Sequence, residues 1–226
     1  NNYSIDLGAD INLCVNDTFE LDPTVVGCDG LIELYNEDFS PSGTYFLSGN
    51  SNNRQLGSTG FWNNISGNSA LWRENTGGTS SSSTGPSSGN SGTGYIYLET
   101  SSGYGTDFIE SNTISNQNII VSFYYHMYGS SMGTLKLESY NGSTWTQRWA
   151  LSGNQGNSWN QVTVDLSNYT VTKLRFAGTR GNGFRSDMAL DDIVVSYQNS
   201  CAYNWTTTAV NGTSGWNSTT QEDLLV

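Results

Sequence analysis

The chain has 226 residues, a net charge of −12, 26 glycines and only 12% charged side chains, against roughly 25% in an average soluble domain. Its eight lysines and arginines are too few to neutralise the phosphates of a nucleic acid, which excludes a nucleic-acid partner. No apolar run reaches the about 18 residues that a membrane-spanning helix needs, so no membrane span is predicted. Neutral polar residues replace Lys and Glu, a composition that suits β-strands joined by many turns.

The N-terminal residues predict two short strands. Residues 4–21, S-I-D-L-G-A-D-I-N-L-C-V-N-D-T-F-E-L, contain a Gly-Ala-Asp turn between two segments, the second of which alternates. The chain begins without Met or a signal-like segment, which indicates an excised or processed piece of a longer polypeptide.

A low-complexity stretch occupies residues 76–94, where every residue is Gly, Ser, Thr, Asn or Pro. Such a composition is typical of a flexible linker. Within it, Thr84-Gly-Pro86 is followed by the strand-like Gly94-Tyr-Ile-Tyr-Leu-Glu99.

The segment from 119 to 137 predicts two strands with period-two alternation. Two sets of side chains alternate along 119–127, the first comprising Val121, Phe123, Tyr125 and Met127 and the second Ser122, Tyr124 and His126. A glycine-bounded turn at 129–133 leads into Leu135 and Leu137, with Lys136 and Glu138 facing away.

A last strong strand is predicted at Met188-Ala-Leu-Asp-Asp-Ile-Val-Val195. Adjacent strand residues point to opposite faces, so one of Asp191 and Asp192 shares a face with Met188, Leu190 and Val194, and the other with Ala189, Ile193 and Val195. One carboxylate therefore enters apolar surroundings, which is costly unless it is paired or bound to a cation.

Two motifs in these strands resemble the MAM domain, an extracellular module. They are F-x-Y-H-M-x-G-x-x-M-G-x-L, beginning at Phe123, and A-L-D-D-I, beginning at Ala189. The resemblance implies an all-β, jelly-roll-like β-sandwich for adhesion and recognition, without chemistry of its own. It also implies that 76–94 is a long surface loop of one domain, because a T-G-P turn leads into G-x-Y-x-Y-x-E there. The family's D-H-T after that turn is replaced by Ser-Ser-Gly-Asn.

The flanking segments resemble the Ig-like repeats of giant surface proteins of Bacteroidetes, including gliding-motility adhesins. The resemblance rests on the D-L-G-x-D opening, the Y-x-W segment at Tyr203 and the T-T-x-x-D-L segment at Thr219. It implies a MAM-like β-sandwich at 29–200, inserted into a partial Ig-like β-sandwich formed by 1–28 and 201–226.

The three cysteines, Cys14, Cys28 and Cys201, have no metal-site spacing. Cys28 precedes the MAM-like segment and Cys201 follows it. Because the ends of an inserted sandwich must lie close together, a Cys28–Cys201 disulfide is predicted. Cys14 is then either a buried free thiol or the partner of a cysteine beyond Val226. Mass spectrometry of a non-reducing digest tests this pairing.

A structural calcium site is predicted at Glu37, Asp38, Asp191 and Asp192. First and last strands are commonly neighbours in β-sandwich modules, which would bring Glu37 or Asp38 close to Asp191 and Asp192. Carboxylate oxygens of this kind suit Ca²⁺. The alternative is that Asp191 and Asp192 accept hydrogen bonds from backbone N–H groups or arginines.

No catalytic residues are assigned. His126 is the only histidine, and its position in mid-strand favours a packed, hydrogen-bonded role. Neither a nucleophile elbow of the G-x-S-x-G type nor the E-x-D-x-x-E strand of a laminarinase-type glycosidase is present. The sequence therefore predicts a protein that is not an enzyme.

The ligand-binding residues cannot be assigned from the sequence. Trp72 and Trp159 occupy positions where the MAM pattern predicts burial. Trp62, Trp145 and Trp216 are expected to be less buried and so freer to contact a ligand. Recognition is expected at loops at one end of the inserted sandwich.

The predicted function is extracellular, at the cell surface. The favoured hypothesis is an adhesion or recognition module of a large bacterial surface protein that binds a surface glycan or protein. The alternatives are a carbohydrate-binding module of a secreted hydrolase and a structural filament subunit that contacts neighbouring copies of itself.

Overall fold

A computed structural model of the chain describes residues 30–40, 60–65, 72–101 and 105–198 and the short strands at 205–206 and 217–218. The chain divides into two units, Asn1–Leu31 with Asn199–Val226, and Ile32–Gln198. The three cysteines and most of the first unit lie outside the described residues. The Ig-like host, the boundaries at 28 and 201, and the Cys28–Cys201 disulfide therefore stay predictions.

Thirteen strands and no helix make up the described elements, as predicted for an all-β chain. In chain order they are β1 (Leu31–Glu37), β2 (Trp62–Asn64), β3 (Trp72–Asn75), β4 (Tyr95–Leu98), β5 (Thr106–Ser111), β6 (Ile119–Met127), β7 (Thr134–Tyr140), β8 (Trp145–Ser152), β9 (Asn160–Leu166), β10 (Lys173–Thr179), β11 (Met188–Gln198), β12 (Trp205–Thr206) and β13 (Asn217–Ser218). Within the described part of the chain no helix is long and apolar enough to cross a membrane.

The second unit is a sandwich of two sheets. The first sheet has the order β3-β4-β11-β6-β9, with β1 also paired to β11, and the second has the order β2-β5-β10-β7-β8. The ladder between β6 and β11 joins the two motif strands antiparallel, with Met127 opposite Met188. The pairing of the first strand with β11 confirms the expected neighbourhood of first and last strands.

The core lies between the inner faces of the two sheets. Val121, Phe123 and Met127 of β6 are fully buried, while the intervening Ser122 and Tyr124 are only partly buried. From the second sheet, Phe176 reaches Phe123 with ring centroids 4.9 Å apart. Alternation along β6 is therefore confirmed, because one face of this strand meets the opposite sheet and the other does not.

The low-complexity stretch 76–94 packs against the outer face of the first sheet. Thr84 forms a β-bridge with Gly129, the Gly85 N–H donates to the Tyr128 carbonyl at 3.1 Å, and the Trp159 indole N–H donates to the Ser88 carbonyl at 3.1 Å. These hydrogen bonds confirm that the stretch is a surface loop of one domain.

The predicted alternation fails at the two aspartates of β11. The register against β6 shifts between Asp191 and Val194, and Asp192 has a φ of 46°. This β-bulge brings Ile193 and Val195 onto the same buried face as Met188 and Leu190. The prediction that one aspartate shares a strand face with Met188, Leu190 and Val194 is therefore wrong. It assumed unbroken alternation, whereas the bulge inserts one residue into the strand.

Candidate functional site

The acidic pair at the bulge holds the loop that crosses it. Asp191 Oδ2 accepts the Asn90 backbone N–H at 2.7 Å, and its Oδ1 accepts the Asp192 N–H at 2.8 Å. Asp192 Oδ2 accepts the Asn90 side-chain amide at 2.7 Å, and its Oδ1 accepts the Ser91 hydroxyl. Burial, together with the charge of the neighbouring Asp192, raises the pKa of Asp191 to about 8.

The other two predicted calcium ligands follow directly at the end of β1. Glu37 is buried and accepts the Tyr35 hydroxyl on Oε2 and the Phe39 N–H on Oε1. Asp38 accepts the Ser40 N–H and the Ser40 hydroxyl, each at 3.0 Å. Burial raises the pKa of Glu37.

All eight oxygens of these four carboxylates accept hydrogen bonds. Within the described ranges no three acidic, histidine or cysteine side chains come together in the manner of a metal site. The contacts therefore match the hydrogen-bonded alternative, and calcium at this position stays a prediction.

Thermal melting in a chelator tests calcium at Glu37, Asp38, Asp191 and Asp192. If Ca²⁺ binds there, chelation lowers the melting temperature, because a cation that binds only the folded state stabilises it by mass action. The melting temperature of an Asp191→Asn variant should then change much less on chelation than that of the wild type. An unchanged melt at pH 7 and low salt would leave hydrogen bonding as the whole role of these carboxylates.

His126 is a packed residue. Only 2% of it is exposed, and its Nε2 lies 3.1 Å from Asn157 Oδ1. Its ring centroid is 5.4 Å from that of Trp159. Burial lowers the pKa of His126, so the imidazole is neutral at pH 7 and helps to pack the region beneath the loop.

The tryptophans divide between core and surface. Trp72 is fully buried, as expected. Trp159 is only partly buried, contrary to expectation, and packs on Tyr95 with ring centroids 5.8 Å apart. Trp62 is only 1% exposed, so the expectation that it is freer is wrong: its ring packs against Phe176. Trp145 is partly exposed on the second sheet, where the Arg175 guanidinium lies 4.2 Å from the centroid of its ring. Trp216 lies outside the described residues.

A cleft opens between two loops of the sandwich. It has a volume of about 450 Å³, and its walls are residues 114–117, before β6, and 167–172, between β9 and β10. Both walls are held by backbone hydrogen bonds, from Ile114 to the Thr172 carbonyl at 2.8 Å and from Tyr169 to the Leu166 carbonyl at 2.9 Å. The cleft is therefore a pre-formed feature of two loops.

Tyr169 is the prominent side chain of this cleft. It is 47% exposed, and the Arg148 guanidinium carbon lies 3.6 Å from the centroid of its ring. The other lining residues are mainly serine, threonine, asparagine and glutamine. Sequence reasoning missed Tyr169; the available signal was a lone aromatic residue in a polar turn, Ser167-Asn-Tyr-Thr170.

Two antiparallel sheets packed face to face place the second unit in the class of β-sandwich modules. The family model of the MAM domain, meprin/A5/mu, matches residues 52–202, and the chain belongs to this family. The matched residues begin after β1, so they do not include Glu37.

Relatives with this domain are larger proteins. The chain is 45% identical over 78 residues to human MAM domain-containing glycosylphosphatidylinositol anchor protein 1, which covers 33% of this chain and 8% of the relative. It is 36% identical over 91 residues to the mouse anchor protein 2, covering 39% of this chain and 10% of the relative. The matched segment thus spans about a tenth of these relatives or less.

Among solved structures, the K2 cleaved adhesin domain of Lys-gingipain has a similar fold, with a TM-score of 0.50 and 14% sequence identity. The similarity covers 71% of this chain and 96% of that one. At this identity the similarity shows the β-sandwich fold alone.

Proposed function

We propose that the chain is a non-enzymatic adhesion and recognition module at the cell surface, and that it binds a neutral glycan in the cleft beside Tyr169. The observation that carries the proposal is this cleft of about 450 Å³, within the range of about 300–1,000 Å³ usual for small-ligand sites. Membership of the MAM family supports the broader statement that the module serves binding.

The chemistry of the lining favours an uncharged polar ligand. Asn116, Gln117, Ser167 and Asn168 offer amide and hydroxyl groups that both donate and accept hydrogen bonds, as sugar hydroxyls require. No acidic or basic residue lines the cleft itself. A charged ligand would therefore find no counter-ion among the lining residues.

Tyr169 supplies the apolar contact that a pyranose ring needs. Arg148 lies over its ring at 3.6 Å, and such a cation–π contact restrains the side chain before any ligand binds. Nearly half of the tyrosine stays exposed. An aromatic ring that is fixed in place loses little conformational entropy on binding, which favours it as an affinity contact.

The wider context is a further part of the proposal. The module would be displayed from an Ig-like repeat of a large bacterial surface protein, and its location would be extracellular. A carbohydrate-binding module attached to a secreted hydrolase, and a filament subunit that contacts neighbouring copies, are the alternatives. We expect no hydrolysis of polysaccharide, peptide or phosphoester, because His126 is packed and hydrogen-bonded and carboxylates such as Asp191 hold the chain's own loops.

A glycan array tests the proposal, with Tyr169→Ala as the variant and Phe184→Ala as its matched control. Phe184 is also 47% exposed and also lies beside an arginine, with Arg185 Cζ 5.1 Å from its ring centroid, but it lies outside the cleft. We expect Tyr169→Ala to weaken glycan binding about ten-fold, the equivalent of about 1.4 kcal/mol, and Phe184→Ala to leave it unchanged.

Equal binding by wild type and Tyr169→Ala would contradict the cleft as the site. A pull-down from cell-surface extract, run with the same three proteins, separates the ligand classes. Capture of a protein that depends on Tyr169, without any glycan signal, would replace glycan by protein as the ligand. Silence in both assays would contradict adhesion and favour the filament role.

A further inference from the structure

The end of the sandwich that carries the cleft also carries two aromatic side chains. Tyr140 is the last residue of β7 and Trp145 is the first residue of β8, and the two are paired across the ladder between these strands. Their ring centroids lie 5.0 Å apart, and both residues are partly exposed. This aromatic pair is therefore an apolar surface that solvent reaches, and neither of its residues lines the cleft itself.

The aromatic pair lies directly beside the cleft. Thr172, in one wall of the cleft, donates its backbone N–H to the Tyr140 carbonyl at 2.7 Å and its hydroxyl to the same oxygen at 3.0 Å. Its neighbour Lys173 is paired with Tyr140 in the ladder between β10 and β7. Because adjacent strands lie about 4.8 Å apart, the backbone of Trp145, in the next strand along, lies about 10 Å from the start of β10. A chain of a few sugar rings is long enough to span this distance.

Charged groups on the same, outer face of the second sheet pair with one another. Arg175 donates from Nε to Glu138 Oε2 at 2.6 Å, and its Nη1 lies 3.9 Å from Glu110 Oε1. Lys173 Nζ lies 3.8 Å from the other carboxylate oxygen of Glu110. A charged ligand would have to compete with these ion pairs, and an uncharged ligand would not. The surface beside the aromatic pair therefore favours the same uncharged chemistry as the cleft.

Trp145 is held in place before any ligand binds. The Arg175 guanidinium carbon lies 4.2 Å from the centroid of the Trp145 ring and 4.4 Å from that of Phe108. Such cation–π contacts restrain a side chain, and the ion pairs fix the arginine in turn. The arrangement matches that of Tyr169 on Arg148. A fixed aromatic ring loses little conformational entropy on binding, so the aromatic pair is suited to stack on a sugar ring.

The turn that joins the two aromatic residues supplies polar groups. Residues 141–144, Asn-Gly-Ser-Thr, are all exposed. The Asn141 side-chain oxygen accepts the backbone N–H groups of Ser143 and Thr144, each at 2.9 Å, which fixes the shape of the turn. The amide and hydroxyl groups of these residues both donate and accept hydrogen bonds, as sugar hydroxyls require. An aromatic ring flanked by neutral polar groups is therefore found here as well as in the cleft.

We propose that Tyr140 and Trp145 form a second subsite for the ligand of the cleft, and that this ligand is a linear, uncharged oligosaccharide. One sugar ring would lie beside Tyr169, and a ring further along the same chain would stack on the aromatic pair. The inference rests on the proposed glycan function, and it narrows the ligand to chains that reach both places. Because the second contact is made within one bound molecule, it strengthens binding without a second loss of translational freedom. Affinity should therefore rise with chain length until both subsites are filled.

Isothermal titration of the full chain with a disaccharide and a hexasaccharide of one uncharged series tests the second subsite. The series is chosen among the cello-, malto- and manno-oligosaccharides by its binding on the glycan array. We expect the wild-type chain to bind the hexasaccharide about ten-fold more tightly than the disaccharide. Trp145→Ala should remove most of this difference and leave disaccharide binding unchanged. Trp145→Phe keeps an aromatic ring and should retain most of it, and Phe184→Ala, which removes an exposed aromatic ring outside both subsites, should behave as the wild type.

Failure of the second subsite is distinguishable from failure of the proposed function. If Tyr169→Ala weakens binding of both sugars and Trp145→Ala weakens neither, the cleft stands and the second subsite is overturned. Equal affinities of the wild-type chain for the disaccharide and the hexasaccharide would also overturn it. Wild-type chain that binds no member of the three series would refute the inference, and a glycan array without signal would contradict the proposed function as well.

A second measurement keeps the test decisive if Trp145→Ala does not fold. The NMR resonance of the Trp145 indole N–H in the wild-type chain should shift when the hexasaccharide binds and should stay in place when the disaccharide binds. The longer sugar alone reaches the aromatic pair, whereas both sugars occupy the cleft. A Trp145 resonance that does not move when the hexasaccharide binds would refute the second subsite.

Discussion

Replacement of Phe176 by alanine should lower the free energy of unfolding of the sandwich by about 3–5 kcal/mol. Phe176 is fully buried and connects the two sheets, since its ring centroid lies 4.9 Å from that of Phe123. It also lies 5.2 Å from the ring of Trp62. The substitution would leave a cavity among rigid aromatic neighbours that cannot collapse to fill it. Urea unfolding followed by tryptophan fluorescence measures the change.

Phe184→Ala provides the matched control, because it removes the same side chain from a site that is 47% exposed. Surface substitutions of this kind usually change stability by less than about 0.5 kcal/mol. If Phe176→Ala lost less than about 1 kcal/mol, the two sheets would not depend on this aromatic contact, and the position of the core would need revision.

The parts of the fold that were predicted from the sequence are those with a local pattern. Strand β6 alternates because its inner side chains, such as Val121 and Phe123, meet the opposite sheet, and burial enforces this period. The bulge at Asp191 and Asp192 could not be predicted in this way. Asp192 takes its positive φ of 46° while both carboxylates hold Asn90 and Ser91, which are distant in sequence.

Composition alone predicts a flexible linker at residues 76–94, and only the resemblance to the MAM domain predicts a surface loop there. Glycine and serine suit a flexible linker because they bury little apolar surface. Here the loop is fixed by partners on the sheet beneath it: Gly77 accepts the Tyr95 hydroxyl at 2.6 Å and Ser88 accepts the Trp159 indole N–H. Those donors lie outside the loop, Tyr95 in β4 and Trp159 directly before β9, so the loop's own sequence contains no sign of them.

The candidate sites depend still more on tertiary structure. The walls of the cleft, 114–117 and 167–172, are about fifty residues apart in the chain, and neither carries a motif. A sequence can indicate that an acid or an aromatic residue is present, but which groups converge is determined by strand pairing.

Two glycines, Gly133 and Gly181, lie where two segments of backbone approach each other closely. Gly133 is the glycine of the M-G in the family motif. The structure places Gly133 against the segment after β10: a Cβ atom on Gly133 would overlap the Thr179 carbonyl oxygen and lie 2.6 Å from the Gly181 nitrogen. A Cβ atom on Gly181 would in turn overlap the Ser131 carbonyl oxygen. The two loops therefore pack backbone to backbone, which requires residues without side chains.

Gly133→Ala should consequently destabilise the sandwich by about 3 kcal/mol, the upper end of the usual cost of overpacking. The clash is with backbone atoms that are held by the pairing of β7 with β10, so no flexible side chain can move aside. Thermal and urea unfolding measure the loss. Gly78→Ala is the control, because a Cβ atom there meets nothing within 4 Å and its stability should match the wild type. Equal stabilities of the two variants would show that the loops can separate to admit a side chain, and would contradict a structural requirement for glycine at position 133.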